Sequence, residues 1–488
     1  MSGGTAQSYR YLRPSALLTD RAGGDLCLET SGGRTASGLA EHPRFFTGFL
    51  TEPEQAAKGL LSVAAVARAR YYVPMTAQRL QEILDPVVTS NGDRLRFESF
   101  SGCCGVYARL DVLGDGLDGD LLDRGTTNVD VNLPLRDALS RVGGGEPLHL
   151  SVGPDDVTVT TLDDSVVERK VTLPTRWLRG FAEVQASAAG MDLRAELDAV
   201  EARRFLRALP RGSNRGTLWA VPAGRTLRLT TRPASGAVCI AGPERLENLV
   251  PLLRFATALR VHGPVVGPGS PPVPSAWELA LRDARLTLTV SPDLSRGFSG
   301  EGGVLDALAT DDTADDAELV GAALSWEPRV EVDLVAERTG LAPERVRRAL
   351  AQLGTSGQVG YDLAEAAYFH RELPYDAGRA ERLNPRLRNA RRLVEAGAVT
   401  VEGSLAVVRA EDHVQHVRLA DDGSASCTCP WWAQYAGSRG PCKHVLAVQL
   451  VTTGRAADTD EATDTADPDG LTRDADDTAA GTAGPTTP

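Results

Sequence analysis

Cysteine and histidine are scarce in this chain, at seven positions each among 488 residues, and no stretch is long and apolar enough to cross a bilayer. The four cysteines outside one C-terminal cluster (Cys27, Cys103, Cys104 and Cys239) are scattered, which excludes a disulfide framework and fits a reducing compartment. No membrane partner is expected. Residues 1–13 lack the basic-then-apolar order of a signal peptide, so cytoplasmic residence is the expectation. Catalytic signatures are missing as well. There is no G-x-x-x-x-G-K-[ST] phosphate loop and no His-Glu zincin motif, and six of the histidines (His42, His149, His262, His370, His413 and His416) lie far from one another or on the surface of a strand. Asp115, Asp118, Asp120 and Asp123 interleave with glycine and read as an exposed loop. We therefore expect a protein that is not an enzyme and has no small-molecule substrate.

What is there is concentrated at the C-terminus. Cys427 and Cys429 stand two apart, and after twelve residues Cys442 and His444 do the same. Residues two apart on an extended strand leave the same face, so the first pair can share one ion. The second pair opens an apolar segment, residues 445–451, that reads as a short buried helix with Cys442 at its start and His444 in its first turn. Gly437, Ser438, Arg439 and Gly440 supply turn-formers between the pairs. Three thiolates and one imidazole complete a tetrahedron for Zn²⁺ with no position left for water, which predicts one structural zinc ion. Three of seven cysteines falling with a histidine inside eighteen residues is hard to read as unrelated buried thiols.

This C-x-C … C-x-H arrangement, with Pro430 after the second cysteine, Lys443 between the last two ligands and strands at 404–409 and 413–419, resembles the SWIM-type zinc finger over residues 398–453. The whole chain is similar, more loosely, to bacterial proteins that carry one such finger near the C-terminus. The resemblance implies a strand-strand-helix zinc unit that serves DNA binding or protein interaction.

At this length several domains are expected, and the composition predicts an α+β multidomain protein. Residues 1–40 form a Gly-, Ser- and Thr-rich lead-in, and 41–125 an N-terminal α+β region with helices at 52–72 and 76–84 and strands at 94–100 and 106–113. Between those strands lies Gly102-Cys103-Cys104-Gly105. Adjacent thiols suit metal or redox chemistry, but without a third ligand nearby a tight bend is the better account. Residues 126–300 form an α+β middle in which a helix followed by strands occurs twice (135–173 and 201–241), an internal repeat that resembles processivity-clamp modules in topology and carries no motif. A further helix is expected at 246–259, a Pro/Gly linker at 263–274 and strands at 277–290. The tail, 454–488, holds nine carboxylates against two arginines from Arg455 onward and is expected to be disordered; it accounts for -7 of the net charge of -13.

Residues 315–376 follow winged-helix order: helices at 317–326, 332–339 and 344–353, then a hairpin ending near Tyr368. The third helix carries Arg345, Arg347 and Arg348. Beyond it Arg379, Arg382, Arg386, Arg388, Arg391 and Arg392 face only Glu381, a basic stripe in an acidic chain, and Arg439 and Lys443 extend it into the finger. Such a stripe attracts polyphosphate, and Trp431, Trp432 and Tyr435 offer rings for base stacking or, equally, for the finger's own core. Two partners remain open: DNA, read by winged helix, stripe and finger together, or proteins, with the chain an adaptor or accessory subunit beside an ATPase.

Overall fold

Alternation of apolar and polar residues governs the first half of the chain, and short helices interrupt it where a capping residue or proline starts a turn. The computed structural model describes residues 44–71, 86–211, 216–371, 373 and 385–452, apart from 130, 172, 174, 295–296, 299–301, 306–312, 411–412 and 421–423, together with the backbone of five short strands between residues 10 and 40. The expected helix at 76–84, Arg379, Arg382 and the acidic tail lie outside the described residues.

In chain order come β1 (Phe46–Leu50), α1 (Pro53–Arg68), β2 (Val87–Ser90), β3 (Arg94–Phe100), β4 (Val106–Leu113), β5 (Leu117–Leu121) and β6 (Gly125–Asn128). Then follow α2 (Leu133–Arg141), β7 (His149–Val152), β8 (Asp156–Thr160), β9 (Ser165–Arg169), α3 (Thr175–Ala189) and β10 (Asp192–Asp198). The set continues with α4 (Ala199–Ala208), β11 (Thr217–Ala223), β12 (Thr226–Thr230), β13 (Val238–Ala241), a 3-10 helix (Pro243–Leu252), β14 (Ala258–Gly263), β15 (Ser275–Ala280) and β16 (Ala284–Val290). A strand, a helix and three strands thus succeed one another three times, in β1–β4, β6–β9 and β10–β13, and a fourth set opens on the 3-10 helix. The pairings among these strands are antiparallel. An eight-stranded sheet runs β6-β2-β3-β4-β16-β15-β14-β10, beside a five-stranded sheet β5-β1-β7-β8-β9 and a three-stranded sheet β12-β11-β13. Because β4 pairs β16 from Val106↔Val290 to Val112↔Ala284, the stretches on either side of residue 125 share one sheet and one apolar core.

Local chemistry accounts for most of these elements. Proline near its N-terminus, Glu54 in the first turn and Arg68 in the last favour α1. The helix buries small residues, and a side chain on Gly59 would overlap Leu110 of β4. Asn132 caps α2 by accepting Leu135 N–H at 3.2 Å, and Asp198 caps α4 through Val200 and Glu201 N–H. The supposed acidic loop around Asp118 and Asp120 is in part the edge strand β5, paired with β1; Gly119 lies opposite Gly48, and neither position has room for a Cβ. The helix expected at 246–259 is replaced by the 3-10 helix and β14. Pro251 lacks an N–H to continue an α-helix, and from Ala258 onward Leu259 and Val261 alternate inward with a strand's period of two. Cys103 and Cys104 occupy the tight turn between β3 and β4, where Ser101 Oγ accepts the N–H of Gly105 and Val106, each at 3.0 Å.

Beyond the sheets, α5 (Thr313–Ala323), α6 (Val332–Thr339) and α7 (Pro343–Thr355) pack around Val320, Val346, Ala349 and Leu350. Gly340, with φ 74°, ends α6 in the left-handed conformation that a Cβ disfavours. A hairpin of β17 (Val359–Asp362) and β18 (Ala367–His370) follows, and Val330 bridges to Tyr368.

That hairpin lies on the eight-stranded sheet over a buried lattice of charge. Asp362 of β17 is met by Arg96 of β3 at 3.1 Å, by Arg109 of β4 at 2.9 Å and by Arg285 of β16. Asp111 of β4 takes Arg285 at 2.8 Å and Arg109 at 3.1 Å. Arg371, just past β18, donates to Glu98 at 2.6 Å. Arg96, Arg109, Asp111, Asp362, Glu98 and Arg371 are all sealed from solvent. Burial alone would push the Asp362 carboxyl up; Arg109, Arg285 and Arg96 overcome it and hold the group well below the usual carboxylate range. Phe369 lies under Arg96, 3.9 Å from its guanidinium carbon.

The C-terminal unit comprises α8 (Pro385–Glu395), a four-stranded sheet β19 (Val399–Glu402), β20 (Leu405–Ala410), β21 (His413–Leu419) and β22 (Ala425–Cys427), then α9 (Pro430–Tyr435) and α10 (443–452). Among the described residues no helix is long and apolar enough to cross a membrane.

Candidate metal centre and the basic helix beside it

The four expected ligands are brought together from three local structures. Cys427 ends β22, opposite Val417 of β21. Cys429 is the N-cap of α9, and its Sγ accepts Trp432 N–H at 3.4 Å. Cys442 precedes α10, where its Sγ accepts Val445 N–H at 3.5 Å. His444, in the first turn, turns Nδ1 toward the thiols, 3.8 Å from Cys427 Sγ and 4.0 Å from Cys442 Sγ. All four donor atoms lie within 4.8 Å of one another and all four residues are buried. A zinc tetrahedron with Zn–S near 2.3 Å has edges of about 3.7 Å, so the cage has the size and the donor set for one zinc ion. Three sulfurs and a nitrogen close it, which suits a structural site. Among the thiols themselves, the hydrogen bond with Cys427 brings Cys442 down to about 4, helped by Val445 N–H, and the same bond together with burial raises Cys427.

Residues 407–450 match the SWIM zinc finger family model. No curated protein matches the chain. Among solved structures, the Proliferating Cellular Nuclear Antigen of Entamoeba histolytica is 12% identical, covering 51% of this chain and 99% of its own, with a TM-score of 0.32. The PCNA2-PCNA3 complex of Sulfolobus tokodaii is 9% identical, covering 51% of this chain and 100% of its own, with a TM-score of 0.37. Likeness at this level says nothing of partners.

Around the SWIM finger the basic residues divide into two sets. Arg386 of α8 is built into the fold: its Nη1 donates to the carbonyls of Arg439 (2.7 Å) and Pro441 (3.2 Å), and its guanidinium lies 4.8 Å from the Trp431 ring centre. Arg439 stands over the same ring at 5.2 Å and over Tyr435 at 5.0 Å. Trp431 and Trp432 are half-buried against the finger core, so both rings serve the fold. Arg388, Arg391 and Arg392 are exposed on α8, and Lys443 is half-buried. Their spacing of three and four residues puts those three arginines on one face.

The arginines of α7 are exposed but not all unopposed. Arg345 grips Asp316 of α5 through two bonds, at 2.8 and 2.7 Å, and Arg347 meets Glu344 at 2.9 Å. Arg348 is exposed.

Between α8 and the SWIM finger lies a cavity of about 320 Å³ that the sequence did not point to. Its walls include Asn389 from α8, His413 and Gln415 from β21, and Pro430 and Trp431 from α9. His413 and Gln415, two apart on a strand and so on one face, were the available sign.

Proposed function

We propose that the C-terminal half of the chain binds DNA, with the exposed face of α8 as the principal contact and the zinc-held finger fixing its position. The observation that carries this is the triplet Arg388, Arg391 and Arg392 on one helical face, next to a finger that adds Lys443, in a chain that is acidic overall. Phosphate contacts of this kind give affinity without sequence preference and release counterions. The helical trio and hairpin at 313–370 follow winged-helix order and would serve as an auxiliary element. The pairs Arg345–Asp316 and Arg347–Glu344 offset much of the charge on α7, which favours protein contact for that element and keeps the adaptor reading as the alternative.

The test is a salt series with the full chain and a labelled duplex. Affinity should fall steeply as salt rises, with the slope reduced by about one for each of Arg388, Arg391 and Arg392 changed to Ala. Absence of binding at low salt removes the DNA reading and leaves the adaptor.

A further inference from the structure

The cavity between α8 and the finger is lined by basic, amide and flat apolar side chains together with three of the metal ligands, Cys429, Cys442 and His444. Arg386 and Lys443 bring positive charge, His413 adds an imidazole, and no carboxylate is among the lining residues. The Arg386 charge is fixed, because the carbonyls of Arg439 and Pro441 hold its Nη1 and Trp431 lies beside it. Asn389 and Gln415 face the same space with amides. Thr428 Oγ1 donates to Gln415 Oε1 at 2.9 Å, which leaves the amide NH₂ as that residue's donor to a ligand. Pro385, Pro430 and Trp431 add flat apolar surfaces to the wall. The volume of about 320 Å³ falls within the range of small-ligand sites.

From this lining we infer that the cavity takes an unpaired nucleotide. A flat, weakly hydrated ring matches the proline and tryptophan walls. Acceptor atoms on the base edge match the two amides. A phosphate matches Arg386 and Lys443, at the side of the lining away from any carboxylate. Paired bases inside a duplex cannot enter, so the site selects single strands or a nucleotide turned out of the stack. This inference rests on the nucleic-acid reading of the C-terminal half and narrows it from phosphate attraction to recognition of a base.

The experiment uses the full zinc-loaded chain and four probes: deoxyadenosine monophosphate, ribose 5-phosphate, and one labelled oligonucleotide in single-stranded and duplex form. Tryptophan fluorescence reports the small ligands and anisotropy the oligonucleotides. Two variants install a carboxylate in the cavity without changing shape, Asn389→Asp and Gln415→Glu; the second keeps the acceptor that Thr428 uses, and zinc content checks that both are folded. The expected result is that the mononucleotide binds, ribose 5-phosphate does not, the single strand binds better than the duplex, and each variant weakens mononucleotide and single strand by about tenfold. Equal binding of ribose 5-phosphate overturns the inference, as does indifference to both variants. Equal affinity for single strand and duplex with a steep salt slope overturns it while the DNA reading stands. Binding of the mononucleotide without either oligonucleotide upholds the cavity and removes the DNA reading.

Discussion

Two of the polar clusters buried among the described residues solve the same problem by opposite means. Under the hairpin, Arg96, Arg109 and Arg285 surround Asp362 and Asp111, so that every buried charge has an opposite beside it. In the finger, Cys427, Cys429, Cys442 and His444 face one another with no opposite charge among them; the compensation must come from a cation that the cage is sized to hold. The lattice is complete as folded and joins strands far apart along the chain. The cage closes a short segment and is stable only when loaded. A self-balanced ion cluster therefore resists salt and chelators but is open to acid and to loss of a single partner, whereas the cage tolerates changes around it and fails at once without metal.

Removing the metal is the strongest way to separate the two. Cys442→Ala or a strong chelator should cost the finger about 10 kcal/mol of folding free energy, since binding energy at such a site is folding energy. Metal analysis and hydrogen exchange check it: protection should vanish across β19 to α10 and persist at β3, β4 and β16. Loss of protection in both regions would break the distinction.

Next in size is Asp362→Ala, which leaves three buried guanidinium groups short of a partner. A loss of about 3–5 kcal/mol is expected in denaturant unfolding, with zinc content unchanged. Acid is a gentler probe of the same group. The folded Asp362 carboxyl lies below its unfolded value, so its contribution is full above the unfolded range and is lost as pH falls toward the folded value. Hairpin protection, corrected for the intrinsic exchange rate at each pH, should therefore fall progressively below about pH 4 and stay level between about pH 5 and 8. Arg345→Ala should be smallest. Its partner Asp316 is buried, but Arg345 is about half exposed, and a change of about 1 kcal/mol or less in the melting of α5–α7 is expected.

The difference between the clusters also decides what could be read from residues alone. The zinc ligands lie within eighteen positions, so spacing carries the geometry, and Cys442 and His444 stand at the helix start as expected. The lattice offers no such spacing. In Arg94-Leu95-Arg96-Phe97-Glu98, alternation assigns Leu95 and Phe97 to the core and the charged residues to water. Arg96 and Glu98 are nevertheless buried, because a hairpin more than two hundred and fifty residues later covers that face. Strand-strand and helix-helix pieces with local punctuation, such as β3, β4 and α6, coincide with their expected bounds. β14 was hidden behind an apolar run that helix and strand share, and Pro251 was the overlooked mark against the helix. For the basic residues, charge was legible and accessibility was not: Arg386 and Arg388 look alike in sequence, yet one is tied into the fold and the other is exposed.

The contact between Gly302 and Gly440 bears on how the chain responds to being cut. A Cβ on Gly440 would strike the carbonyl of Gly302, and one on Gly302 would strike Arg386, so three segments distant in sequence meet here with no room to spare. Alongside, Leu305, Leu387, Ala390, Leu446 and Leu450 bury one another. Were the chain cut ahead of α8, the two fragments would therefore remain one particle, and the C-terminal piece supplied separately would find its seat on the N-terminal one. Gly440→Ala, which touches no zinc ligand, would loosen that reassembly.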